Sequence, residues 1–290
     1  MLNDIFSVYF LEALCNGLLL AGVLALLALG LNLIFGVIDV VWICYAELVM
    51  CGMYAVYFLH SAGVPLILAC LLAIICVALL GFLLHYLVIQ PILGAEPINQ
   101  LLVTGGVLFF LQSLATLLFG IDFRNLGLRL PILEFNDMYF SFARVMAFIV
   151  ALIGMVGLYL FLSKTYLGTA IRAIHQDREI MALMGVDAKK VYLLTSAIGG
   201  GLAGLAACLL VLQYDVHPAI GLTFGPITFM ICVLGGLGNM LGGFIAAFII
   251  SEMISIGGYF VEVEWGYVIA FLFFIVMMFI KPQGLLGKKR

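Results

Sequence analysis

Lys164-Thr165-Tyr166-Leu167-Gly168-Thr169-Ala170-Ile171-Arg172-Ala173-Ile174-His175-Gln176-Asp177-Arg178-Glu179 is the stretch on which the fold turns. It opens a segment, 164–190, that holds eight charged residues: Lys164, Arg172, Asp177, Arg178, Glu179, Asp187, Lys189 and Lys190. The residues on either side, 145–163 and 191–214, hold no Asp, Glu, Lys or Arg. A polar, helix-forming segment between two apolar runs of membrane length is the pattern of a loop in a polytopic membrane protein, placed to touch something outside the bilayer.

The composition agrees. The chain has 290 residues, 66% hydrophobic and 9% charged, with a mean hydropathy of +1.32. Soluble domains carry roughly 25% charged residues, so the solvent for this chain is a lipid bilayer. The net charge of −3 says nothing about nucleic acid, and no basic face is present to bind it, so no nucleic-acid partner is expected. The seven cysteines lie in apolar runs without a Cys-x-x-Cys pair and with no histidine at ligand spacing, so neither a disulfide framework nor a metal site is expected. Met1-Leu2-Asn3-Asp4 has no basic n-region, and the run after it reads as a retained first span.

A helix needs about 20 apolar residues to cross the hydrocarbon. Uncharged stretches and turn signals such as Ser61-Ala62-Gly63-Val64-Pro65 predict spans at 8–35, 40–60, 65–89, 98–119, 144–163, 191–213, 218–235, 239–258 and 265–281. The fold class is therefore all-α, a polytopic membrane helical bundle forming a single transmembrane domain over 1–290 with eight or nine spans. The count depends on whether the pair broken at Gly235-Gly236-Leu237-Gly238-Asn239 crosses or re-enters. Of twelve Lys and Arg, five lie in 164–190 and four in the tail (Lys281, Lys288, Lys289, Arg290), so both segments are expected in the cytoplasm with an even number of crossings between them. The segment 120–143 then becomes an external loop.

Gly199-Gly200-Gly201 and Gly204 fit a tight helix–helix contact. Consecutive glycines at 235–238 weaken a helix, and broken membrane helices line solute paths. Gly236 and Asn239 are path residues on this basis, as is Asn32 within the fainter counterpart Gly30-Leu31-Asn32-Leu33-Ile34-Phe35-Gly36. Glu47 follows Gly36 by eleven residues and Glu252 follows Gly242 by ten, a spacing that fits either an internal repeat or chance. An acid inside a membrane is costly, about 2.5–3.5 kcal/mol for Asp at a helix centre on insertion scales. Glu47, with its neighbour Tyr45, and Glu252 are accordingly either path groups or interhelical hydrogen-bonding carboxyls.

Within the polar segment, Ile171, Ile174, Met181 and Met184 share helical faces, and Asp177 is placed to cap a second short helix ending at Gly185. An apolar ridge with charged flanks suits a groove on a soluble partner. Gly168-Thr169-Ala170-Ile171-Arg172-Ala173, Gln176-Asp177-Arg178-Glu179 and Leu183-Met184-Gly185-Val186 closely resemble the cytoplasmic loop of the LivH-type branched-chain amino acid ABC importer permeases. Gly30 to Val37, Gly199 to Gly204, Val233 to Gly238 and Lys281 to Gly287 resemble that family too, and the likeness covers nearly the whole chain. The resemblance implies a bacterial inner-membrane subunit that binds no cofactor. Its partners would be a second permease, two ATPase subunits that bind the ATP, and a periplasmic solute-binding protein. It assigns contact with the ATPase to Gly168, Arg172, Asp177, Glu179 and Gly185. No Gly-x-x-x-x-Gly-Lys-Ser/Thr loop occurs in the chain.

One segment departs from the family. Where its members carry Asn-Phe-Ala-His-Gly-Glu, this chain has Trp42-Ile43-Cys44-Tyr45-Ala46-Glu47, which keeps only the final acid. A path lined by this segment widens the implied solutes to urea, short amides, other amino acids and small aromatic or carboxylic acids. Two rival classes remain. One is an ion-coupled secondary transporter using Glu47 or Glu252. The other is an intramembrane enzyme, disfavoured because no Gly-x-Ser-x-Gly or His-Glu-x-x-His appears and the four histidines are scattered.

Overall fold

A computed structural model describes residues 8–128, 131–135, 138–176, 181 and 184–287. Its helices are α1 (Val8–Ile38), α2 (Tyr45–Ser61), α3 (Leu66–Leu84), α4 (Pro97–Phe119), α5 (Phe142–Lys164), α6 (Tyr166–Gln176), α7 (Ala188–Leu210), α8 (Ile220–Gly235), α9 (Met240–Phe260) and α10 (Val263–Ile280). α3 runs on through a π-turn, His85–Ile89, to Ile92. A two-stranded antiparallel hairpin, Ile132–Phe135 with Met138–Ser141, interrupts the otherwise helical chain inside the segment expected to be a loop.

Each apolar stretch assigned to a span contains a helix, although the one expected over 40–60 begins only at Tyr45. Six of these helices are long and apolar enough to cross a membrane: α1, α3 with its extension, α4, α5, α7 and α9. The count of eight or nine rested on three more, α2 (17 residues), α8 (16 residues) and α10 (18 residues), which are shorter. At 1.5 Å per residue α8 covers about 24 Å, less than the roughly 30 Å of the hydrocarbon core.

α1 is the central post. It is wrapped by α5, α7, α8 and α9, and its deepest residues, Ala21 to Leu29, are almost fully buried. Small residues allow the approach. On α3 the buried stripe is Ala69, Ala73, Val77 and Gly81, one residue per turn. It faces the glycines of α7, where an added Cβ would lie 2.7 Å from the Val77 carbonyl at Gly200 and 2.9 Å from Ile74 Cα at Gly204. The tight contact expected of the Gly199–Gly204 run is thus with α3, and Gly199 turns instead to Ile34 of α1. Outward faces of α3, α4 and α10 expose Ile67, Leu71, Phe109, Leu117, Leu272 and Phe279 to where lipid would lie.

Candidate coupling surface and solute path

The polar segment begins with a sharp elbow. α5 ends at Lys164, Thr165 is extended, and α6 starts at once. Thr165 Oγ1 accepts from Gly168 N at 3.0 Å and donates to Phe161 O at 2.7 Å, so one hydroxyl satisfies an orphan at each helix end. A Cβ on Gly168 would lie 2.5 Å from Leu162 Cα, so the elbow closes only on glycine. α6 is strongly two-faced. Ile171 is 1% and Ile174 3% exposed, packed into the bundle's own core, while Tyr166 is 81% exposed and Arg172 also faces out. This corrects the expectation of an apolar ridge offered to a partner: those isoleucines hold α6 to its own bundle. Met181 is partly buried and Met184 is 75% exposed.

Arg172 borders a cavity of about 430 Å³ between α1, α5 and α9, lined by Leu29, Met155 and Phe244 among others. Gly185 sits in a turn at φ +81°. Asp187 caps α7 by accepting from Lys189 N at 3.0 Å. Asp177 and Glu179 lie outside the described residues.

Three elements meet under α6. The His175 ring is hydrogen-bonded to the Gly36 carbonyl near the end of α1. Gly36 packs in turn on Gly238, where an added Cβ would lie 3.2 Å from Gly238 Cα. Asn32 is fully buried, and its Oδ1 accepts from Gly238 N at 3.1 Å. α8 and α9 approach here to backbone contact, since a Cβ on Gly235 would stand 2.6 Å from Gly242 O. Gly236 makes the turn at φ +100°, a left-handed conformation that favours glycine. Asn239 caps α9 through Oδ1 to Gly242 N at 3.0 Å, and its Nδ2 donates to Leu286 O at 2.8 Å. Leu285 N donates to Leu234 O at 2.7 Å, which lays residues 281–287 against the same turn. α6 and residues 281–287, described parts of two segments rich in Lys and Arg, therefore sit at one end of the bundle. His175, one of the four scattered histidines, hydrogen-bonds α6 to α1.

The other path residues lie deeper. Residues 39–44 after α1 are not helical, yet Val40, Trp42 and Cys44 are buried. They carry the chain back into the bundle, so that α2 starts beside the middle of α7, where Tyr45 Oη donates to Gly199 O at 3.1 Å. Non-helical backbone at such depth is tolerated where it is buried in protein or lines a cavity, and one of about 350 Å³ is lined here by Trp42, Tyr45, Ala46, Gly221, Pro226 and Thr228, among others. Pro226, inside α8, has no N–H for the helix ladder. Trp42 Nε1 and Thr228 Oγ1 are buried without a hydrogen-bond partner.

Glu47 stands behind this cavity, fully buried in the first turn of α2. Its carboxyl lies where a side chain on Gly221 would be, 2.5–2.7 Å from that position at Cδ and Oε2, in the first turn of α8. Both carboxyl oxygens lack a partner. Two helix N-termini converge on this acid, and their dipoles favour a negative charge there. Glu252 is placed differently, in the middle of α9 against Gly17 of α1. One acid opens a helix and the other sits mid-helix, so the matched spacing reflects no structural repeat. The structure thus divides the expected path residues into two groups: Asn32, Gly236 and Asn239 at the α6 end, Tyr45 and Glu47 in mid-bundle.

Comparison with known proteins places this geometry among transport subunits. Residues 13–278 match the family described as the branched-chain amino acid transport system permease component. The chain is 28% identical over 296 residues to the high-affinity branched-chain amino acid transport system permease protein BraD of Pseudomonas aeruginosa, covering 97% of this chain and 96% of that one. It is 28% identical to LivH of Salmonella typhimurium, with the same coverage. It is 26% identical to the probable LivH of Methanocaldococcus jannaschii, covering 99% of this chain and 95% of that one. A solved structure, PsaBC from Streptococcus pneumoniae in complex with Fab, superposes with a TM-score of 0.54 at 14% identity, covering 97% of this chain and 95% of that one; it speaks to the fold alone.

Proposed function

The chain belongs to the family of branched-chain amino acid transport permease components, and from that premise we propose that it is one of two permease subunits of an ATP-driven importer. It moves branched-chain amino acids or a related small polar solute across the bacterial inner membrane. A second, homologous permease completes the channel, two ATPase subunits bind and hydrolyse the ATP, and a periplasmic binding protein delivers the solute. The chain forms one permease domain crossing the membrane eight or nine times. The α6 end and the tail face the cytoplasm, and segment 120–143 faces out.

The observation that carries this is the seat of α6. A helix that exposes Arg172 is held to its own bundle by buried Ile171 and Ile174, joined to α1 by His175, and through Gly36 and Gly238 to the α8–α9 turn. A push on α6 by a closing ATPase pair is thereby passed to the central post of the bundle and to the helix pair beside the mid-bundle cavity. Coupling requires that α6 bind the two ATPase states differently, since equal binding shifts nothing. Gly168 sets the elbow, Arg172 offers charge, and Asp177, Glu179 and Gly185 complete the contact. Solute passes the cavity beside Tyr45 and Glu47, then the turn at Asn32, Gly236 and Asn239.

The test is copurification and uptake together. Arg172→Glu should lower the yield of ATPase bound to the permease while the permease itself stays monodisperse; full ATPase yield would count against the contact. The rival, an ion-coupled transporter working through Glu47 or Glu252, is supported by the two unpaired oxygens of Glu47 and the unpaired Oε2 of Glu252. It demands uptake without nucleotide that stops when the ion gradient is collapsed.

A further inference from the structure

A hollow with several polar side chains on its walls lies at the end of the bundle away from α6. It has a volume of about 500 Å³ and is walled by the start of α1, Arg144 at the start of α5, Tyr214 after α7, the end of α9 and the start of α10. Into it face Glu12, Asn16, Arg144, Tyr214, Tyr259 and Tyr267. Arg144 Nη1 donates to Asn16 Oδ1 at 2.9 Å, which fixes the guanidinium at the rim. Glu12 shares the hollow, yet makes no ion pair with Arg144. Among the described residues the ion pair within 4.0 Å is Lys190 with Asp187, at the other end. Burial pushes the Tyr214 phenol above its ordinary range, against the downward pull of Arg144, so it stays a hydroxyl that can donate.

Two opposite charges that face one cavity without pairing leave a slot for something carrying both. We infer that this hollow is a first docking site for the zwitterionic head of an α-amino acid, with Arg144 holding the carboxylate, Glu12 the ammonium, and the tyrosines flanking the side chain. An Arg fork matches a carboxylate in two hydrogen bonds, and charge-assisted bonds are about twice as strong as neutral ones. The aromatic walls take an apolar side chain, and the volume lies within the range of small-molecule sites. The inference rests on the importer reading and narrows its cargo: of the solutes considered above, urea, short amides and simple carboxylic acids lack the paired charges, and amino acids have them.

The experiment is equilibrium binding to the purified full-length permease in nanodiscs without nucleotide. The probes are L-leucine, 3-methylbutylamine, which lacks the carboxylate, and 4-methylpentanoate, which lacks the ammonium. We expect L-leucine to bind tightest. Glu12→Gln should weaken it at least tenfold and leave 4-methylpentanoate unchanged. Arg144→Gln should weaken it as much and leave 3-methylbutylamine unchanged. Arg144→Lys, which keeps the charge, serves as the variant least apt to disturb folding and should lose less than Arg144→Gln. Equal binding of the three probes, or L-leucine binding indifferent to Glu12→Gln and Arg144→Gln in monodisperse protein, overturns the proposal. Because no ATPase takes part, this result stands or falls apart from ATP dependence, which alone decides the importer reading.

Discussion

Gly168 and Glu47 show how far single residues can be taken. At Gly168 a methyl group would meet the backbone of α5, which cannot yield as a side-chain tip would. Gly168→Ala should cost about 1–3 kcal/mol, the usual penalty of overpacking. It should appear as a lower thermal midpoint in detergent, and an unchanged midpoint would mean the elbow is slack. Glu47→Gln keeps the shape of a fully buried side chain and removes its ionisable carboxyl. Uptake should fall about tenfold or more at unchanged expression, read with radiolabelled solute in membrane vesicles. The sequence exposed Glu47 because a lone acid in an apolar run is conspicuous. It could not expose Trp42 or Thr228, whose unpaired Nε1 and Oγ1 mark the same cavity, because indole and hydroxyl groups are ordinary in membrane helices and only packing leaves them without partners. His175 was hidden in the same way: its role exists only because α1 ends beside it.

Among the elements, α6 and the α8–α9 turn are the ones on which the proposed coupling depends. The break at 235–239 was legible, since several glycines before an asparagine stop a helix and cap the next one. The orientation of α6 was not. Periodicity locates an apolar stripe but does not say whether it faces a partner or the parent bundle, and Ile171 and Ile174 chose the bundle. The short length of α8 and the late start of α2 also escaped the sequence, because an uncharged run gives no sign that backbone turns back at residues 39–44. Asn239→Ala removes both the cap on α9 and the bond to Leu286. Loss of the cap costs about 1 kcal/mol. We expect the variant to assemble with its ATPase subunits, and the complex to hydrolyse ATP but move less solute per ATP; an unchanged ratio would show that the turn does not transmit the stroke.

For the molecule as a whole, the decisive features are one central helix and two distinct ends. α1 touches α6 near its C-terminal end, the Glu252 helix along its length, and the Glu12–Arg144 hollow at its start. A displacement of α6 that tilts α1 would reach all three. Residues 281–287 reach the Asn239 turn through Leu286, and His175 of α6 lies on the Gly36–Gly238 contact beside it. The central claim is that this movement is imposed from outside by a nucleotide-driven partner. It is tested most directly by reconstituting the permease pair in liposomes, with and without its ATPase subunits, and measuring accumulation of labelled L-leucine delivered by the binding protein. The account predicts accumulation only when ATPase and ATP are both present, unaffected by an agent that collapses ion gradients. Accumulation by the permease alone, abolished by that agent, would contradict it.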